Sequence, residues 1–413
     1  MLKNYLKLGL KILLRRKFFT FVSLFGIAFA LVVLIVMASL IDHVFGAFPP
    51  EKKADRMLSL YLIEGRGKNI KSGQFPGYMF LDRYVRKMRT PEKVSIHSVP
   101  RSAVSFLNGV QIESYLKQTD GEFWEILDFH FLEGGPFTAR DEKDRNFVAV
   151  INDATRKKFF GNQSAMGRHI EVDGQRFRVV GVVDNVPFFR LTPFADIWVP
   201  ISTSKNDDYK KLFFGSFFGL VQARSKADLP RIQAEFQDVL KRVENPDPRR
   251  FDVFGGSLDD LFGTVSSMIF TQRLDQPRPA RLMAWILVLA VLFMVLPAIN
   301  LININVSRIL ERTSEIGVRK AFGATSRTLV GQFVVENVLL TLVGGILGWL
   351  AALLVLQALA SAEVIRYAQF HISYRVFAAG LGLTLFFGVF SGVYPAWKMS
   401  RLNPVDALKG GLL

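Results

Sequence analysis

ERTSEIGVRKAFGAT, residues 311–325, lies between two long apolar runs and carries five formal charges and two glycines. Set on a helix over 308–325, Leu310, Ser314, Gly317, Val318, Ala321 and Thr325 share one small, smooth face. Arg308, Arg312, Glu315 and Arg319 fall on the other side. Gly323 suits a helix C-terminus, and Thr325 or Ser326 suits the N-cap of the next helix. The smooth face would let another backbone approach closely, and the ionic face would pair with charges or headgroups. A helix that only closed a loop would not need both, although a solvated elbow is the plainer alternative.

The flanking runs set the architecture. A bilayer core takes about 20 apolar residues in helix. Phe18–Ile41, Leu282–Ile302, Phe333–Leu359 and Val376–Trp397 each meet that length, the third with only Glu336 and Asn337 near its start. The expected division is a cytoplasmic amphipathic helix over 1–17 and a first span over 18–41. An extracytoplasmic domain then fills 42–280, with a second span over 281–306. The charged helix occupies 307–327 and a third span 328–360. A short outside link (361–375), a fourth span (376–397) and a cytoplasmic tail (398–413) complete the chain. The expected class is thus a four-span α-helical membrane protein with a large α+β domain inserted between the first two spans.

Charge orients it. The net charge of +16 would suggest nucleic acid in a soluble protein. Here fourteen basic and three acidic residues cluster before the first run, between the second and third, and after the fourth, which accounts for +11. Lysine and arginine concentrate on cytoplasmic flanks, so the excess is mainly a topology signal that places both termini and the 303–327 loop in the cytoplasm. The first run is too long for a secretory signal core and reads as an uncleaved anchor. Before it, Lys3, Lys7, Lys11 and Arg15 recur every four residues, away from Leu6, Leu10, Leu13 and Leu14, as in a helix lying in the interface.

Residues 42–280 mix strand and helix signals. Tyr78–Arg89 and Ala227–Val243 read as amphipathic helices, the latter with Leu229, Ile232, Phe236 and Leu240 on one face. Val94–Val99, Ser102–Leu107, Asn146–Ile151, Phe217–Ala223 and Phe251–Phe254 read as strands, with a helix over Asp153–Phe160. In HIEVDGQRFRVVGVV, Asp173-Gly174 marks a tight hairpin turn. No catalytic constellation emerges. The five histidines are scattered, cysteine is absent, and neither GxSxG nor GxxxxGK[ST] occurs. Asp141, Glu142 and Asp144 read as a charged loop.

Within the spans, Gly344 and Gly348 form GxxxG, which permits close packing either inside the chain or across a dimer. Pro297 with Asn300, Asn303 and Asn305 predicts a kinked, polar inner end of the second span. Glu336, near the cytoplasmic interface, is expected to snorkel or to pair with Arg327.

The run ERTSEIGVRKAFGATSRTLVGQFVVENVLLTLVGGILGWLAA closely resembles the signature region of MacB/FtsX-type ABC transporter permeases. The matching residues are Glu315, Ile316, Gly317, Arg319, Lys320, Ala321, Gly323 and Ala324, then Gln332, Phe333, Glu336, Gly344, Gly345 and Gly348. GVYPAWKMSRLNPVDALKG is similar to the family's closing segment through Pro395, Ala396, Pro404, Ala407 and Leu408. DGEFWEILDFHFLEGGPFT, VAVINDATRKKFFG and RVVGVV resemble its periplasmic core domain less specifically.

The resemblance implies a multi-pass permease in a bacterial inner membrane. It would not be an enzyme itself and would bind no cofactor directly, with ATP and magnesium held by a separate ATPase subunit. Arg312, Glu315, Gly317, Val318, Arg319, Lys320, Ala321 and Gly323 would couple to that ATPase. Gly344, Gly345 and Gly348 would pack helices. A second permease copy, identical or homologous, is the expected partner, with a periplasmic adaptor or outer-membrane component as a further candidate. The implied work is efflux or extraction of a drug, peptide or lipoprotein by mechanotransmission. Some relatives instead activate cell-wall hydrolases, with a smaller outside domain. A membrane-anchored enzyme would need a catalytic set in 42–280.

Overall fold

The structure, a computed structural model, describes residues 17–46, 48–68, 70–107, 109–270, 278–311 and 325–362. It also describes 318, 322 and scattered positions between 366 and 393. The chain divides into two compact units. One comprises residues 1–43, 284–364 and 369–413; the other comprises 44–283 and 365–368. The second unit overlaps the segment read as a large α+β domain, and it also takes in residues 365–368 of the segment read as a short link.

Helix α1 runs Lys17–Phe45, α8 runs Pro279–Glu311 and α9 runs Ser326–Ser361, all within the first unit except residues 44–45 and 279–283. Thr20–Phe45 and Val330–Ser361 are long and apolar enough to cross a membrane by length and composition. All three helices overrun their expected spans by a few residues, because helical hydrogen bonding continues into polar flanks that the apolar count leaves out. Of the expected fourth span, 377–382, 384–386, 389 and 393 are described, and these residues are helical. Residues 1–16 and 394–413, with the expected interfacial helix and the closing motif, lie outside the described residues.

Ile27, Leu31 and Ile35 of α1 close on Leu340 and Ala352 of α9 in one apolar cluster. Thr325 caps α9, its side-chain oxygen accepting from the Thr328 N–H. Glu336 is buried, not snorkelling: it is 4% exposed and accepts a hydrogen bond from Gln332 Nε2 at 3.0 Å. One helical turn separates the two residues, so this bond forms within the helix itself.

The second unit is α+β. Its large sheet runs β1 (Met57–Leu60), β12 (Phe217–Gln222), β4 (Lys93–Ser98), β6 (Val110–Thr119), β11 (Ile197–Pro200), β8 (Val148–Asn152), β10 (Gln175–Val183) and β7 (Phe131–Gly134). Strand β5 (Arg101–Leu107) pairs with β6, and β9 (His169–Val172) pairs with β10. A small sheet joins β13 (Val253–Gly256), β2 (Ile63–Arg66) and β3 (Lys71–Gln74).

The helix read over Tyr78–Arg89 is shorter. An α-turn, α2 (Tyr78–Phe80), passes into a π-turn over Leu81–Val85. Two short helices, α3 (Glu122–Ile126) and α4 (Ala139–Lys143), flank β7 in sequence. Helix α4 occupies part of the segment read as a charged loop. Thr138 and Asp141 form a reciprocal capping box there, which satisfies the first free N–H groups and starts the turn.

Between β8 and the parallel β10 lies α5, Asp153–Phe160, capped by Asn152, whose side chain accepts from the Thr155 N–H. Helix α6, Leu229–Lys241, buries Ile232, Phe236 and Leu240, spaced by four, on a core shared with β1, β4 and β12. Both residues of the Asp173-Gly174 turn have positive φ (51° and 75°), as a two-residue turn of matching twist requires.

The sequence reading missed β1, β2, β3, β6, β7 and β11, together with helix α3 and helix α7, Leu261–Phe270. Strands β1 and β11 are buried along their whole length, so they carry no alternation to detect.

Candidate functional site

Of the charged helix, Arg312, Glu315, Gly317, Arg319, Lys320, Ala321 and Gly323 lie outside the described residues. Val318 is half-exposed and Phe322 is 89% exposed, with the Phe322 N–H bonded to the Val318 carbonyl at 3.1 Å, as in one helical turn. Two bulky apolar side chains thus stand in the open on this turn.

Gly344, Gly345 and Gly348 of α9 face α1 and its neighbours. A Cβ on Gly344 would sit 2.7 Å from Ile27 Cγ2, and one on Gly348 would sit 3.0 Å from the Ala28 carbonyl oxygen and from Leu31 Cβ. A Cβ on Gly345 would lie 2.7 Å from Leu381 Cδ1. The small-residue motif therefore packs against helices of its own chain.

The α+β unit holds a hub that sequence reasoning missed. The run DNVPFFRLTPFAD, 184–196, connects β10 to β11 and is fastened on several sides. Arg190 is 3% exposed and donates to the carbonyls of Phe48 at 2.7 Å and Pro49 at 3.2 Å, and to that of Gly46. It also pairs with Glu51 at 3.5 Å. These partners belong to the stretch that directly follows α1. From β6, the wholly buried Lys117 donates to the carbonyls of Leu191, at 2.8 Å, and Thr192. The Tyr61 and Thr192 hydroxyls share a hydrogen bond of 2.7 Å.

Burial holds the Lys117 amine well below its ordinary range, against the pull of Glu51, and pushes the Glu51 carboxyl up against the charges of Arg190 and Lys117. Buried ionisable groups persist only when paired, and here backbone carbonyls supply much of the pairing. A cavity of about 70 Å³ opens beside them, lined by Glu51, Ser59, Tyr61, Arg190, Asp260 and Phe262 among others. It has room for a few waters and not for a drug-sized molecule.

Asp196 closes the loop. It is wholly buried, and its Oδ2 accepts from the Tyr115 N–H at 2.8 Å while its Oδ1 accepts from Asn152 Nδ2 at 3.0 Å. The remaining partners come from the segment after α9. Tyr367 Oη donates to Oδ1 at 2.8 Å, and Arg366 Nη2 lies 3.1 Å from Oδ2. The Phe188 N–H donates to the Arg366 carbonyl at 3.1 Å, and the Arg366 guanidinium lies over the Tyr115 ring. Burial, then the charge of Asp196, lifts the Tyr367 phenol to about 12, so it remains a donor.

No sequence pattern marks these residues. Their roles depend on burial, and the partners stand 142 and 171 positions apart. Among the described residues, no three histidine, aspartate or glutamate side chains gather as metal ligands.

Residues 20–239, from α1 through α6, match the MacB-like periplasmic core domain, and residues 287–404 match the FtsX-like permease C-terminal domain. The chain is similar to the macrolide export ATP-binding/permease protein MacB of Salmonella typhi, at 28% identity over 75% of this chain and 46% of that protein. It is similar to its namesake in Escherichia coli K12, at 28% over 73% and 44%. It thus spans less than half the length of these relatives and matches their permease part.

Among solved structures, the periplasmic region of MacB from Actinobacillus actinomycetemcomitans aligns at 17% identity and a TM-score of 0.34, covering 45% of this chain and 84% of that one. The extracellular domain of the noncanonic ABC-type transporter YknZ from Gram-positive bacteria aligns at 14% and 0.36, covering 48% and 97%. With the core-domain match covering more than half of its residues and the permease match most of the remainder, the chain belongs to the MacB/FtsX-type permeases of ABC transporters.

Proposed function

We propose that this chain is a motion-transmitting permease with four spans and both termini in the cytoplasm. It works as a dimer with a nucleotide-binding partner that hydrolyses ATP. Closure of the ATPases moves the 307–327 helix, the spans carry the displacement, and the outside domain does work on a substrate already beyond the inner membrane.

One observation carries this reading. The 184–196 loop holds both the stretch that follows α1, through Arg190, and the stretch that follows α9, through Asp196. A domain serving only as a receptor needs one covalent entry; here two separate stretches next to apolar helices are fastened to one loop. The small size of the cavity beside that loop also favours mechanical work over enclosure of a ligand.

On the cytoplasmic side, Gly317 would permit close approach, Arg319 and Lys320 would meet acidic residues, and Glu315 a basic one. Val318 and Phe322, both exposed, would bury apolar surface on docking. A few such contacts carry a coupling of about 1–3 kcal/mol between sites.

The test is purification from native membranes of the wild type and of Gly317→Trp, with identification of co-purifying proteins and an ATPase assay. A P-loop ATPase that accompanies the wild type and is lost or uncoupled in the variant is the expected result. Its absence from both would overturn the reading.

A further inference from the structure

We propose that Arg366 and Tyr367 form a plug, with Asp196 as its socket, through which displacement of the C-terminal apolar helices reaches the centre of the large sheet. This rests on the reading of the chain as a motion-transmitting permease. Outside 44–283, the outside unit draws only on residues 365–368, and these begin four positions after α9 ends at Ser361.

The attachment is specific. Asp196 has both oxygens occupied, each by one bond from the sheet, Asn152 or Tyr115, and one from the plug, Tyr367 or Arg366. Withdrawing the plug would leave a wholly buried carboxylate with half its partners, so the contact resists gradual loosening. Tyr367 has φ +60°, a region that a bulky residue rarely occupies, so the surroundings hold it there against its own preference.

The socket's position gives the plug its use. Asp196 immediately precedes β11, which is buried throughout and lies between β6 and β8. Tyr115 is on β6, and Asn152 ends β8. A pull on the plug therefore reaches three adjacent central strands at once, instead of an edge strand that could peel. Asp196, Arg366 and Tyr367 are positioning residues in this scheme: they touch no substrate and set what the sheet feels.

The test uses the full chain in lipid nanodiscs, with and without its co-purified ATPase and ATP plus vanadate, followed by hydrogen exchange. Tyr367→Phe removes one hydroxyl and preserves the ring; Arg366→Gln is the second variant. Without nucleotide, exchange in 184–196 should rise about tenfold in Tyr367→Phe, the size expected for loss of one buried hydrogen bond, while the edge strand β1 is unchanged.

With nucleotide, the wild type should show a change in β11 that both variants lose. Unchanged exchange at 184–196 in both variants would sink the plug, as would an undiminished nucleotide response in β11. Failure of any ATPase to co-purify with the wild type would refute the permease reading instead, and the nucleotide-free comparison would still decide whether the plug exists.

Discussion

Arg190 reaches back 142 positions to donate a hydrogen bond to the carbonyl of Phe48 across 2.7 Å. It also covers the carbonyls of Gly46 and Pro49, sits over the Phe48 ring and balances Glu51. One planar cation thereby fastens residues 46–51 to the 184–196 loop of the α+β unit.

Arg190→Ala should destabilise the α+β unit by about 3 kcal/mol, because it strands Glu51 and two or three carbonyls in a buried site. Arg190→Lys should recover only part of this, since an ammonium lacks the fork that serves several carbonyls. Thermal unfolding of the purified full chain checks the order wild type, Lys, Ala.

A pH dependence follows from Glu142. Burial, then the neighbouring charge of Asp120, raises its carboxyl from 4.5 to about 7, against the pull of Arg86. Between those values the folded protein holds a proton that the unfolded chain has released, so this group lowers stability as pH rises from about 4.5 to about 7 and is constant above. Asp120, lifted by burial to about 6, acts in the same direction. His97, held well below 6.5 by burial and then by Lys117, acts in the opposite one, but it is common to both proteins in a variant comparison. Glu142→Gln should therefore gain stability over the wild type on going from pH 5 to pH 8, on the order of 1–2 kcal/mol allowing for partial exposure. Denaturant midpoints at the two pH values measure it; a constant difference contradicts the assignment.

Three glycines of α9 with contrasting surroundings should separate in one experiment. Gly344→Val and Gly348→Val force atoms into Ile27 and into the backbone of Ala28, whereas a Cβ on Gly331 would meet nothing within 4 Å. Overpacking should cost each valine variant about 1–3 kcal/mol. Gly331→Ala should be neutral or stabilising by about 0.5–1 kcal/mol, the helical preference of alanine over glycine. Unfolding in mixed detergent micelles gives the ranking.

Asp173 stands in the hairpin turn at φ 51°, and its Oδ1 accepts from the Val104 N–H at 2.9 Å while its Oδ2 pairs with Arg101. Asp173→Ala should cost about 1–2 kcal/mol by removing these bonds and placing a residue that resists positive φ. Asp173→Asn tolerates the backbone and should cost less. Faster amide exchange at Val104 in the alanine variant would locate the effect at the turn.

The sequence by itself determined whatever depends on neighbours a few residues apart. The first and third apolar runs, the Asp173-Gly174 turn and the stripe of Ile232, Phe236 and Leu240 are all local patterns, and the described elements follow them. The motif around 311–348 pointed to the family for the same reason.

Only the tertiary structure decided the rest. Strands β1 and β11 are buried on both faces and only four residues long, so nothing in their residues distinguishes a central strand from a short piece of buried helix. Nothing near them in the chain marks Lys117, Arg190, Asp196 and Tyr367; the fold sets them, buried or partly buried, beside partners from other parts of the chain. A charge acquires such a role from desolvation and from the few atoms that replace its water, and both are set by the complete packing of the domain.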